Sequence, residues 1–346
     1  INNMFKKKIN IKVKFLIIGF CLVILLIFFI WPTNYYIESP GEVDRVSDYL
    51  VTKENKVSHN LYLVTVYGRK ANMIDYLLSL LRSDESRFYS KEIMGDTNDN
   101  QYDQMQKCYM KSSQNNAIYV AAKSAGIKFK IRYQGVKVLE VLPQSRFYSK
   151  LKIGDMIIKA NKKNIRSSAA LIEYLKKYPL HKKLKLTILR NKKEKQVDGK
   201  LINIPRLKKH GIGITLLDNT EIITKAPLKI CTPDIGGPSA GLMFTLACYQ
   251  VFTHKRLSMH KKIVGTGTIE ADGHVGTIGC IKQKTIAAAR ANADIFLVPA
   301  ECLQGEKKSQ TNYQIALKTA KKLKTKMKIV PVYNFRDAIN YLKNNK

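Results

Sequence analysis

The 346-residue chain carries 60 Lys and Arg against 26 Asp and Glu, a formal net charge of +34, and that length accommodates more than one domain. The basic excess is spread along the chain with no nucleic-acid-binding motif or aromatic–basic interleaving, which excludes nucleic acid as the expected partner. It reads as solvated lysine-rich faces, able to attract anionic headgroups, cell-wall polymers or acidic peptides.

The first element is an uncharged apolar run from Phe15 to Trp31. It follows Lys6, Lys7, Lys8, Lys12 and Lys14 and precedes Glu38, Glu42 and Asp44. Its length is at the short end of what crosses a bilayer, and the charge bias predicts a cytoplasmic N-terminus with everything after Trp31 outside. Pro32-Thr33-Asn34-Tyr35-Tyr36 has no small-x-small cleavage pattern, so an uncleaved single-pass signal anchor is expected rather than a signal peptide. Residues 1–14 then form a basic cytoplasmic tail, 15–31 the anchor and 32–126 an extracytoplasmic N-terminal region.

Residues 37–67 read as extended, with Tyr49-Leu50-Val51-Thr52 and Leu61 to Tyr67 separated by a polar turn at Glu54-Asn55. Residues 74–81 read as a helix. Residues 83–103 are polar, with the run from Gly95 to Asn100 resembling a surface loop. Gly95-Asp96-Thr97-Asn98-Asp99-Asn100 is acid-rich but lacks the later glutamate of a calcium loop, so no metal is expected there. A helix over 105–125 follows, with Ala117, Val120, Ala121 and Ala125 on its apolar face and Gly126 as its stop. Six cysteines, Cys21, Cys108, Cys231, Cys248, Cys280 and Cys302, show no CxxC and no regular spacing. Most are expected to be small buried hydrophobes rather than disulfide or zinc partners.

Between residues 127 and 203 the pattern changes. An alternating strand at Val136-Lys137-Val138-Leu139-Glu140-Val141 leads to Gly154-Asp155-Met156-Ile157-Ile158, a helix over 168–177 and a strand over 183–189. The Gly-Asp-Met-Ile-Ile run, with Asn161 and Ile165 after it, resembles the core signature of PDZ domains. That resemblance implies capture of an extended peptide by strand addition beside a helix. The carboxylate-binding loop would fall near Tyr133-Gln134-Gly135-Val136, without the glycine-rich form usual in that family. Gly135 and Val136 are therefore the candidate peptide-binding residues.

From residue 204 to 346 strands and helices alternate, an α/β layout in which helices cover a sheet. Gly236-Gly237-Pro238-Ser239-Ala240-Gly241 sets a serine in a tight turn before an apolar helical run. Converging backbone amides and a helix N-terminus favour a developing oxyanion there, and Gly237 and Ser239 supply the plausible donors because Pro238 has none. A serine nucleophile needs a base, and a lysine shielded from water serves as one once burial holds its pKa at roughly 7–8. Lys282 and Lys284 follow on one predicted helix. Lys284 aligns with Ala287, Ala288 and Ala291, and Lys282 with Ile286, Ala289 and Ala293, so periodicity alone leaves both open.

These segments together resemble the serine–lysine peptidase domain of the Lon family. Thr232-Pro233 precedes the glycines, Val264-Gly265-Thr266-Gly267-Thr268 stands at the threonine-glycine strand, and Asp272-Gly273-His274-Val275 forms its hairpin. Phe296-Leu297-Val298-Pro299 and Ile329-Val330-Pro331-Val332 match its closing strands. The resemblance implies Ser239 as nucleophile, Lys284 rather than Lys282 as base, and Thr266 as the residue steadying the pair. Cys280 stands where that family has a second glycine. Met110-Lys111-Ser112-Ser113-Gln114 resembles a helix early in Lon peptidase domains, so the PDZ segment would be inserted into a peptidase domain that begins before it.

The span, PDZ segment and peptidase occur in the order of the membrane-anchored Lon-like proteases of Gram-positive bacteria. That resemblance implies a serine endopeptidase without cofactor, acting on exported peptides or unfolded secreted proteins. No GxxxxGK[ST] phosphate loop is present, and hydrolysis without ATP is expected. The competing expectation is a catalytically inactive membrane scaffold presenting a PDZ groove.

Overall fold

The computed structural model describes residues 11–52, 59–204, 209–225, 227–258 and 260–344. Lys6, Lys7 and Lys8 and the turn expected at Glu54-Asn55 lie outside the described residues. The chain divides into two units, one of residues 1–40 and 66–96, the other of 41–65 and 97–346.

The smaller unit begins with the helix Ile11–Ile30, whose 20 residues are apolar enough to cross a membrane and are not buried within the protein. At 1.5 Å per residue such a helix spans about 30 Å, the thickness of a hydrocarbon core. The strand Pro32–Arg45 follows, and its residues Tyr35 to Glu38 pair antiparallel with the strand Ser86–Tyr89. The helix Met73–Leu81 starts at a reciprocal cap: Asn72 Oδ1 accepts from Asp75 N, and Asp75 Oδ2 from Asn72 N. The polar stretch 83–103 holds this strand, the short helix Ser90–Met94 and the start of a long helix, which takes in Asp99 and Asn100 of the expected loop.

That long helix, Asp99–Ser124, opens the second part of the larger unit. It starts earlier than its apolar stripe does because Asn98 and Gln101 cap it reciprocally. Gly126, at φ +69°, ends it as expected. The unit's main sheet orders parallel strands Lys328–Val332, Ile295–Pro299, Ile263–Gly265 and Leu61 onward. Strands buried on both faces carry near-continuous apolar residues, and alternation sorts them by face. Ile263, Ile295, Leu297 and Val330 pack under the helices Asp99–Ser124, Gly241–Thr253 and Phe335–Asn344. Val264, Phe296, Val298 and Ile329 pack under Ile281–Arg290 and Asn312–Leu323.

A separate core is built from residues between 136 and 216. Its sheet runs Ile214–Thr224, Phe129–Val141, Met156–Ala160, Leu184–Arg190, Lys193–Gly199, with the helix Ser168–Lys176 contributing Leu171 and Leu175 to the core. Asp155 is 2% exposed and takes a forked pair of bonds from Arg190, Nε to Oδ1 at 2.7 Å and Nη2 to Oδ2 at 2.6 Å. The strand expected over 136–141 starts earlier, at Phe129, and the strand Ile214–Thr224 pairs antiparallel along it. Ile214–Thr224 thus belongs to this sheet although it follows the boundary at 203.

Among the described residues no disulfide is formed and no cluster of His, Cys, Asp or Glu could hold a metal. Of the cysteines only Cys108 and Cys248 are buried, and burial pushes both thiols up. Cys21, Cys231 and Cys302 are exposed, against the expectation of mostly buried thiols.

Candidate active site

The serine turn is built by glycines and clamped from three sides. Gly237 sits at φ +83°, a conformation open to glycine, and lets the chain reverse before Pro238. Ser239 follows, Ala240 caps, and the apolar helix Gly241–Thr253 begins. A Cβ on Gly241 would stand 2.7 Å from both Ile269 Cγ2 and Ser113 Oγ, so only glycine fits this first helical position.

Thr266 and Gly267, immediately after the strand Ile263–Gly265, hold the turn from the sheet. Gly267 N donates to the Ser239 carbonyl at 2.8 Å, Thr266 Oγ1 to the same oxygen at 3.1 Å, and Leu242 N to the Gly267 carbonyl at 3.1 Å. From the long helix, Ser113 Oγ donates to the Pro238 carbonyl at 2.9 Å. The serine is fixed before any substrate arrives.

The base candidate comes from the helix Ile281–Arg290. Lys284 is 3% exposed, and its Nζ lies 2.6 Å from Ser239 Oγ and 3.1 Å from Thr266 Oγ1. Of the two lysines that periodicity left open, Lys284 is the one brought to the serine, while Lys282 stays half-buried on another face. Burial in general disfavours a charged ammonium, and 2.6 Å is within hydrogen-bond reach of the serine hydroxyl. Ser239 itself remains partly exposed.

Two site expectations are corrected. Gly237 N donates to the Gln106 carbonyl at 3.0 Å, so its amide is already engaged in this structure. The Ser239 amide makes no hydrogen bond among the described residues. Gly135 and Val136 do not border an open groove. Val136 is fully buried, with Asp218 opposite it on one neighbouring strand and Ile157 on the other. Gly135 is glycine for packing, since a Cβ there would stand 2.8 Å from the Ile157 carbonyl. The terminal strand of that sheet is Ile214–Thr224, and Ser168 N, at the start of the neighbouring helix, donates to Asp218 Oδ1 at 2.5 Å.

Cys280 adopts the left-handed conformation, φ 57° and ψ 29°, just before the lysine helix. That explains why glycine suits this place, and the helix still delivers Lys284. Gln106, Ser113 and Gln114 had no role in the sequence-based site. Their signal is faint: Ser113 and Gln114 are polar residues buried on a helix face that carries Met110 and Ala117. Gln114 Nε2 donates to Thr232 Oγ1 at 2.8 Å, tying the long helix to the segment leading to the serine. Beside it, a cavity of about 320 Å³ is lined by Ile118, Ile222, Leu228 and Ile230, with Lys111 and Glu221 among its polar groups.

Comparison with known proteins agrees with this architecture. The PDZ domain family matches residues 124–201, and the family described as the Lon protease (S16) C-terminal proteolytic domain matches residues 192–342. Lon protease of Campylobacter jejuni is 31% identical over 146 residues, 42% of this chain and 17% of that protein. Lon protease 1 of Myxococcus xanthus is 30% identical over 127 residues, 37% of this chain and 14% of that protein. The chain thus matches less than a fifth of the length of these relatives. The crystal structure of the PDZ domain of an SdrC-like protein from Listeria monocytogenes covers 25% of this chain and 93% of its own at 31% identity, with a TM-score of 0.24. Behind one apolar helix of membrane-crossing length, the chain carries a PDZ domain and a Lon-type C-terminal proteolytic domain in a mixed α/β fold.

Proposed function

We propose that the chain is a serine endopeptidase in which Ser239 is the nucleophile and Lys284 the general base. The observation that carries this reading is the 2.6 Å approach of a buried lysine amine to a serine hydroxyl in a clamped turn. Neutral Lys284 takes the hydroxyl proton as Oγ attacks the scissile carbonyl, forming the tetrahedral oxyanion against the Ser239 amide. The ammonium then returns the proton to the leaving amine, leaving an acyl-serine that water hydrolyses by the same relay. Thr266 holds the amine and the Ser239 carbonyl in one geometry.

The peptidase domain is read as two stretches around the PDZ segment, because the helix Asp99–Ser124 shares the core of the helix Gly241–Thr253 and bonds to its serine turn. Peptide capture is assigned to the edge strand Ile214–Thr224 beside the helix Ser168–Lys176. That strand runs on to the cavity at Glu221 and Ile222, whose lining also takes in Cys231 on the segment that leads to the serine turn. Hydrolysis without ATP is part of the proposal, since these 346 residues contain no GxxxxGK[ST] phosphate loop. The apolar helix Ile11–Ile30 is read as an anchor that leaves the catalytic unit outside the cell, on exported peptides or unfolded secreted segments.

The test is cleavage of an unstructured fluorogenic polypeptide by the full chain in detergent or vesicles, with and without ATP. Turnover is expected in both conditions and is expected to vanish in Ser239→Ala. Cleavage retained by Ser239→Ala overturns the reading, and folded wild-type protein inert toward a peptide library favours a scaffold.

A further inference from the structure

The helix Met73–Leu81 is amphipathic with its apolar side turned outward. Ile74, Leu77, Leu78 and Leu81 recur at the spacing that in a globular fold faces the core. Here they are 40%, 41%, 42% and 85% exposed, while Ser79 on the opposite side is fully buried.

The polar side is the one that is held. Asn72 and Asp75 cap the helix, and Arg69 Nε stands 3.6 Å from Asp75 Oδ1. Arg87 Nη1 donates to the Ser79 carbonyl at 2.5 Å. These bonds set the outward direction of the leucines, which form a contiguous apolar patch of a kind that marks an interaction surface.

The position of the helix identifies the partner. Met73 N donates at 3.0 Å to the carbonyl of Trp31, the residue directly after the apolar helix Ile11–Ile30. Trp31 is itself 61% exposed, and Tyr35 stacks on Tyr76 and Tyr89 with ring centroids 4.5 and 5.0 Å apart. Tryptophan and tyrosine gather at the membrane–water boundary, where an amphipathic helix also lies with its apolar face among the upper acyl chains. A helix joined by one hydrogen bond to the end of a span begins at that depth.

We propose that Met73–Leu81 is an interfacial helix that seats Ile74, Leu77, Leu78 and Leu81 in the bilayer crossed by Ile11–Ile30, holding the smaller unit against the membrane surface. The partner is a lipid surface, and the inference rests on the anchor reading above.

Trp31 is the only tryptophan of the chain, so the full protein in phosphatidylcholine–phosphatidylglycerol vesicles reports on the two readings separately. Trp31 should be quenched by lipids brominated near the headgroup more than by those brominated near the chain end. In a Trp31→Phe, Leu78→Trp variant the emission should be blue-shifted, quenched by the shallow brominated lipid and protected from aqueous iodide several-fold. Adding Leu77→Asp and Leu81→Asp should restore iodide quenching at position 78. Trp31 quenched by lipid while the position-78 probe is fully open to iodide overturns the interfacial helix and leaves the anchor standing. Trp31 indifferent to both lipids overturns the anchor and this inference with it. A position-78 probe shielded from iodide and untouched by either lipid means a protein surface covers the stripe, which also overturns the inference.

Discussion

Thr266 Oγ1 lies 3.1 Å from Lys284 Nζ and 3.1 Å from the Ser239 carbonyl, so one hydroxyl positions both ends of the proposed dyad. Thr266→Val keeps the shape and removes the hydroxyl, and should lower kcat about tenfold, the size of one hydrogen bond to a group that becomes charged. KM should change little, and Lys282→Ala should keep most turnover. Steady-state peptide hydrolysis by the folded variants checks all three. Cys280 allows a different test, because its left-handed backbone disfavours a side chain. Cys280→Gly should leave turnover intact and raise stability by about 1 kcal/mol, read from the urea midpoint. At this scale the tight turn around Ser239 was legible from its glycines, whereas periodicity did not choose the lysine. Alanines lie on both faces of the helix, so Lys284 was singled out by the family resemblance alone, and in the structure it is the lysine that packs on the serine turn. The engagement of Gly237 N by the Gln106 carbonyl was equally hidden, since it joins segments far apart in sequence.

Among the elements, those fixed by local signals were the readable ones. Ile295–Pro299 and Met73–Leu81 fall within a residue of expectation, because a doubly buried strand and a periodic helix each carry their own pattern. The early start of Asp99–Ser124 depends on a cap, which extends a helix beyond its apolar stripe. Gly135 and Val136 were misplaced for a non-local reason. The strand Ile214–Thr224 comes back across the PDZ helix to pair with Phe129–Val141, and no short-range pattern announces that partner. In the same sheet, Arg190 is the charge partner of a carboxylate only 2% exposed. Arg190→Ala should cost about 3 kcal/mol, since it strands a buried charge rather than merely removing a contact. Denaturant unfolding followed by near-ultraviolet circular dichroism would measure it, and a loss within error of zero would mean that solvent reaches Asp155.

For the whole molecule, the fold class was legible because each segment keeps its own periodicity and punctuation. The packing of Asp99–Ser124 on the peptidase helix was visible only as the resemblance around Met110 to Gln114, because a core assembled across an intervening domain leaves no local trace. Ser239 and Lys284 are proposed to act as a single unit. The direct measurement is peptide hydrolysis by full-length wild type, Ser239→Ala, Lys284→Ala, Lys284→Arg and the Ser239→Ala/Lys284→Ala double variant, each shown to be folded. Each single variant should lose nearly all turnover, the double variant should be little worse than either, and Lys284→Arg should fail because a guanidinium stays protonated. Substantial turnover by Ser239→Ala or Lys284→Arg, or losses that simply add in the double variant, would contradict the dyad.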